Sequence, residues 1–203
     1  MLTEEERNMT DTVQPSEIQP WLDLLRSRVS TERLQGATEL ASLAVRTHTR
    51  GAVRTRGTIS HAAPSRLPQG VSLATALEAF TDQHIEVRRA VAFALGEWAD
   101  ETAVRALRPI TEADPEPAVR GEALDALGKI GGQQAVEALQ TAARNDRGID
   151  VRLRAVRALA ALGNVEPSAS QGVITTLKHV QDEDPSEAVR GQAQAALARL
   201  GRA

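Results

Sequence analysis

Apolar residues recur at positions 0, 4, 7, 8 and 11 counted from a valine, and they do so four times along the chain. The sets are Val87, Val91, Ala94, Leu95, Trp98; Val119, Ala123, Ala126, Leu127, Ile130; Val151, Ala155, Ala158, Leu159, Leu162; and Val189, Ala193, Ala196, Leu197, Leu200. At the helical period this spacing lays each set on one face of a helix. Every one of these valines is followed at once by an arginine and preceded, five residues earlier, by an aspartate. Asp82, Asp114, Asp146 and Asp184 therefore form one column, and Arg88, Arg120, Arg152 and Arg190 another. The copies lie 32, 32 and 38 residues apart, and a fixed period in this range marks stacked supersecondary units.

A second helix pattern precedes each copy. Val104 and Leu107, Val136 and Leu139, Ile174 and Leu177 stand ten and seven residues before their aspartates, so the period holds in both helices of a pair. The pattern predicts first helices over 71–80, 101–112, 133–144 and 168–181, and second helices over 85–98, 117–129, 149–162 and 186–200. Residues 71–203 thus read as four regular repeats, with six extra residues in the turn-rich stretch Asn164–Gln171 before the last pair. Asp114-Pro115 and Asp184-Pro185 read as N-caps followed by an N1 proline, and Gly131, Gly163 and Gly201 as left-handed helix ends. Upstream, helices are expected over 16–27 and 31–46. This pair lacks the Asp–Val–Arg signature, and residues 15–46 read as an atypical N-terminal cap, with 1–14 a flexible N-terminal segment.

Residues 47–70 break the pattern. They carry Gly51, Gly57, Pro64 and Pro68 with no sustained period, and read as an insertion loop. Arg46, Arg50, Arg54, Arg56 and Arg66 fall between Glu39 and Glu78 with no acidic residue among them, although the whole chain is acidic, at net −3.

Composition narrows the chemistry. Aromatic residues are 2% and tyrosine is absent, so the core must be built of Ala, Leu and Val, which suits close-packed helices. With no cysteine, disulfides, thiolate metal sites and a cysteine nucleophile are excluded. His48, His61, His84 and His179 show no metal-ligand spacing on one helix. No phosphate-binding glycine loop and no nucleophile elbow occurs. No apolar run approaches the roughly 20 residues that span a bilayer, and the acidic N-terminus has no apolar secretory stretch. The expectation is a cytoplasmic protein without cofactor, metal or catalytic group. The repeated Asp and Arg columns read as a structural ladder between adjacent repeats rather than as a ligand-binding stripe.

The pattern D-P-x-x-x-V-R-x-x-A-x-x-A-L-x-x-(I/L)-G, seen best in Asp114–Gly131, resembles the short bacterial and archaeal HEAT repeat named after phycobilisome lyases. The resemblance spans Val71–Gly201, about two-thirds of the chain. It implies an all-α, right-handed α-solenoid of about five antiparallel helix pairs, with the second helices lining the concave face and an Asp/Arg ladder between repeats. It also implies a protein-binding scaffold or adaptor, or, in a minority of the family, a factor that attaches or removes bilin chromophores. An iron-dependent hydroxylase branch relies on His-Glu pairs, and this sequence has none.

On that architecture, positions 3, 6 and 10 after the valine face away from the core. The candidate partner-binding residues there are Phe93, Glu97, Glu122, Asp125, Lys129, Arg154 and Arg157. Phe93 is a large apolar residue where its siblings carry Asp125, Arg157 and Ala195; it either packs against a neighbouring element or anchors a partner. Arg50, Arg54 and Arg56 are the second candidate group, either a solvated loop or a dock for an acidic protein surface. Nucleic acid is the weaker reading there, because no aromatics interleave with the arginines and the whole chain is acidic. The first reading is a non-catalytic scaffold binding another protein on its second-helix face. Lyase-like handling of a chromophore is the alternative, and a small-molecule ligand is not indicated.

Overall fold

The computed structural model describes residues 15–50, 54–55, 58–59, 73–98, 101–163 and 170–201. Among these are ten helices: α1 (Pro15–Leu25), α2 (Ser30–Arg50), α3 (Leu73–Ala79), α4 (Ile85–Trp98), α5 (Glu101–Ala113), α6 (Pro117–Ile130), α7 (Gln133–Asn145), α8 (Ile149–Gly163), α9 (Ser170–Glu183) and α10 (Glu187–Arg199). They form five consecutive pairs. Within the stretch expected to be a loop, α2 runs on to Arg50, and two two-residue strands, β1 (Arg54–Thr55) and β2 (Thr58–Ile59), pair antiparallel with Arg54 opposite Ile59. The expected flexible N-terminal segment, Arg56 and most of the insertion lie outside the described residues. The chain divides between Ala103 and Val104 into two compact units.

In the first unit α2 packs along both α1 and α4, while the short α3 touches α4 only briefly. Its core is Ile18, Leu22, Ala37, Leu40, Ala44, Val87, Val91, Leu95 and Trp98. Gly36 lets α1 and α2 approach, since a Cβ there would sit 2.7 Å from the Trp21 carbonyl oxygen. Trp98 is buried in the position held by Ile130, Leu162 and Leu200 in the other pairs.

In the second unit α6, α8 and α10 lie side by side, and α7 and α9 form the other layer. The apolar column positions close the space between the layers. Leu124, Leu139, Val151, Ala155, Leu159, Val173, Leu177, Val189, Ala193 and Leu197 form one cluster. Small residues set the distance between second helices: a Cβ on Gly128 would lie 2.9 Å from the Ala158 Cβ.

The helix ends differ from the sequence reading in two ways. Asp114 and Asp184 are not N-caps. The caps are Glu116 and Ser186, two residues further on, and the helices open with Pro117 and Glu187. The aspartates instead accept the backbone N–H two residues ahead, an Asx turn that leads the chain into the helix. Gly131 and Gly201 adopt left-handed φ of 74° and 65°, but Gly163 stays in α8 and packs on Leu200.

Candidate functional site

The Asp–x–x–x–x–Val–Arg pattern has a single geometric purpose. In the second unit Arg120 reaches forward with Nε to Asp146 Oδ2 (2.8 Å) and Nη2 to Oδ1 (2.9 Å), a bidentate pair between successive turns. Its Nη1 reaches back to the carbonyl of Asp114, six residues earlier (2.9 Å). Arg152 repeats the arrangement, with Nε and Nη2 on Asp184 (2.7 and 3.0 Å) and Nη1 on the Asp146 carbonyl (2.8 Å). Asp146 Oδ1 also accepts the Gly148 N–H, and Asp184 Oδ1 the Ser186 N–H. Arg120, though charged, is only 1% exposed. A buried guanidinium is tolerated because every direction of its fork meets an acceptor. At the last repeat Arg190 keeps the backward bond, Nη1 to the Asp184 carbonyl. Arg88 does the same with Asp82 in the first unit.

The N-terminal pair belongs to this scheme, although its sequence disguises it. Ser27 stands where the aspartate would be and Arg33 where the arginine would be, six residues apart. Arg33 Nη1 donates to the Ser27 carbonyl (3.0 Å), its Nε and Nη2 hold Asp82, and the Val29 N–H donates to Ser27 Oγ (3.0 Å). The first pair is therefore a repeat with a neutral residue in the aspartate slot. Ser27 fits there because its Oγ makes the turn-closing contact that an aspartate oxygen makes elsewhere. The spacing of six between a turn-former and an arginine was the signal available in the sequence.

Burial acts against ionisation of Asp82 and Asp184. The hydrogen bonds from Arg33 and the His84 N–H at Asp82, and from Arg152 and the Ser186 N–H at Asp184, outweigh it and hold both carboxyls below the ordinary range. A carboxyl lowered on folding stabilises the fold above its unfolded pKa of about 3.9, and that contribution is lost as pH falls through its lower folded value. Acid unfolding followed by circular dichroism should therefore show the gap between wild type and Asp184→Asn shrinking as pH falls from about 5 to about 2. A gap that stayed constant would mean that Asp184 is not the titrating group.

Above the ladder, the variable positions of the second helices come to one surface in the second unit. Arg154 on α8 donates through Nη1 to Asp125 Oδ2 on α6. Its stem lies over Gly121, where a Cβ would stand 2.7 Å from Arg154 Cδ. Arg157, Lys129 and Arg199 are exposed, and Glu122 and Gln192 half-buried. In the first unit Phe93 and Glu97 are half-buried on α4. Arg50 ends α2 and Arg54 lies in β1. Arg154 and Asp125 are thus brought together, and the Asp125 carboxylate is engaged within the protein itself.

Among the described residues no group of three His, Cys, Asp or Glu side chains could hold a metal ion, and no described helix is long and apolar enough to cross a membrane.

Residues 73–160 match the family of HEAT repeats. No curated protein matches the chain in sequence. Several solved structures share its fold. The complex of CpcE and CpcF of phycocyanin lyase from Nostoc sp. PCC7120 aligns at a TM-score of 0.59 and 20% identity, over 89% of this chain and 98% of that one. A designed armadillo repeat protein in complex with the peptide (KR)4 aligns at 0.55 and 19%, over 95% and 89%. Computationally designed armadillo repeat proteins for modular peptide recognition align at 0.54 and 18%, over 97% and 94%. At these identities the likeness concerns the fold. Residues 73–160 thus carry HEAT repeats, and the chain has the all-α fold of the HEAT and armadillo solenoids.

Proposed function

We propose that the chain is a non-catalytic scaffold that binds a partner protein along the face of its second helices. The observation that carries this reading is the Arg154–Asp125 bond, which joins variable positions of two successive repeats on one surface beside the exposed Arg157 and Arg199. Residues that differ from repeat to repeat are not needed for stacking, so they are the ones at liberty to specify a partner. In the second unit Asp125 is paired internally, which leaves that face weighted toward guanidinium groups and suited to an acidic protein surface. Support by analogy comes from the fold: one similar structure is a complex of two chains, and another holds a peptide.

The test is affinity capture with the wild-type chain and with Arg157→Glu/Arg199→Glu. Exposed charge reversals of this kind should leave the melting temperature nearly unchanged. The expected result is loss of most of the captured partner at unaltered stability. Unchanged recovery would remove this face from consideration.

The likeness to the phycocyanin lyase complex favours a second reading, a bilin-handling factor acting with a phycobiliprotein-type partner. Incubation with a bilin and an apo-phycobiliprotein separates the two, since a scaffold yields no covalent adduct and no spectral change.

A further inference from the structure

In the second unit the arginine column does not end as it begins. Arg120 and Arg152 are held on both edges, with Nη1 on the carbonyl six residues back and Nε and Nη2 on the aspartate of the following turn. Arg190 makes the same backward bond, Nη1 to the Asp184 carbonyl at 2.7 Å, so its guanidinium is anchored as theirs are. Its Nε and Nη2 meet no acceptor among the described residues. The Asp184 carboxylate, whose charge Arg190 also feels, is already taken by the Arg152 fork and the Ser186 N–H. Arg190 is half-buried, and two oriented charged donors in such a place suit a carboxylate, whose two oxygens match the fork.

The flank of α10 beside this fork repeats the surface that α6 offers to α8. On α6, Gly121 lies under the Arg154 stem and Gly128 against the Ala158 Cβ. Their counterparts on α10 are Gly191 and Ala198. A Cβ on Gly191 would find nothing within 4 Å, and Ala198 is exposed. Between them Leu124 on α6 is buried, whereas its counterpart Gln194 on α10 is exposed. Side chains this small leave room for a further helix at the distance α8 keeps from α6.

We propose that Arg190 and this flank of α10 seat a helix-entering turn of another polypeptide, whose aspartate fills the Arg190 fork as Asp146 fills that of Arg120. The helix after that turn lies on Gly191 and Ala198. The residue twelve places after its aspartate must then be small, as Ala158 is after Asp146. A second copy of this chain does not fit. Its first pair would bring Ser27, which has no carboxylate, to Arg190, and Glu39 to Ala198, burying a charge without a counter-ion. The flank is the side of α10 turned away from α8, apart from the variable second-helix face, and it does not rest on the scaffold reading.

The experiment titrates the isotope-labelled full chain with an unlabelled synthetic peptide of residues 133–163, a helix pair that carries Asp146 and Ala158. The readout is the amide shifts together with the Nε–H shift of Arg190. Saturable shifts are expected at Arg190, Gly191, Gln194 and Ala198. The peptide with Asp146→Asn should bind at least tenfold more weakly, and the peptide with Ala158→Glu should give no saturable shift. In the chain, Ala198→Glu should abolish binding while the Arg190 Nε–H signal stays native, and Arg190→Gln should weaken binding at least tenfold. The proposal is overturned if the peptide gives no saturable shift, if the shifts fall on α6 instead of α10, or if the Asn peptide binds as well as the Asp peptide. It is overturned equally if unlabelled full chain produces the same shifts at Arg190, since the occupant is then a second copy.

Discussion

Asp146→Ala is expected to destabilise the second unit by about 3–5 kcal/mol, the usual cost of removing one partner from a buried ion pair. The reason lies in what is left behind. Arg120 is 1% exposed and directs Nε and Nη2 at Asp146 alone. Without that carboxylate two charged donors face the interior with no acceptor and no water. The turn suffers too, because Asp146 Oδ1 also accepts the Gly148 N–H that leads into α8. For a chain of 203 residues the melting temperature should fall by about 6–20 °C, measured by thermal unfolding. Asp146→Asn should be milder, since an amide oxygen can still accept from the Gly148 N–H while losing the charge. A loss under about 1 kcal/mol for Asp146→Ala would place the pair among exposed salt bridges and contradict the burial of Arg120.

Leu159→Ala is the second large effect, expected at about 2–5 kcal/mol. Leu159 has no exposed surface and lies in the cluster shared by α6, α7, α8, α9 and α10. The same cluster includes Val156, Leu177 and Leu197, all at 1% exposure or less, so the cavity cannot be relieved by drawing in solvent. Collapse around it would have to move two helix layers at once, which argues for the upper part of the range. Arg157→Ala, two residues away but exposed, should change stability by no more than about 0.5 kcal/mol. Denaturant unfolding of the two variants side by side measures the contrast.

The period of the chain made most of the fold legible. Column positions 0, 4, 7, 8 and 11 recur because a stacked pair can bury only one stripe of each helix, and the same stripe is needed in every copy. What the period hid were the places where one residue performs another's role. Ser27 replaces an aspartate and Glu32 a valine, so the first pair shows no motif, yet Arg33 still reaches Asp82. The Asp-Pro of two copies reads as an N-cap in the sequence, whereas the carboxylate bonds the N–H two residues on and the helix starts later. The Arg154–Asp125 contact depends on the stagger between α6 and α8, which spacing within one helix does not encode.

Two kinds of position follow from this. Residues identical in every copy hold repeats together, as the Asp and Arg columns do, and the proposed scaffold function draws on residues that vary, such as the exposed Arg157 and Arg199.

That division is tested most directly by a double-mutant cycle on the rung Arg152–Asp184, read by denaturant unfolding alongside partner capture. Arg152→Met and Asp184→Leu should each be strongly destabilising, because each leaves a buried partner unpaired. The double substitution should recover much of that loss, with a coupling of about 1–3 kcal/mol, and should retain the partner wherever it folds. Additive losses, or a folded double variant that no longer captures the partner, would contradict the account and make the ladder itself part of the binding site.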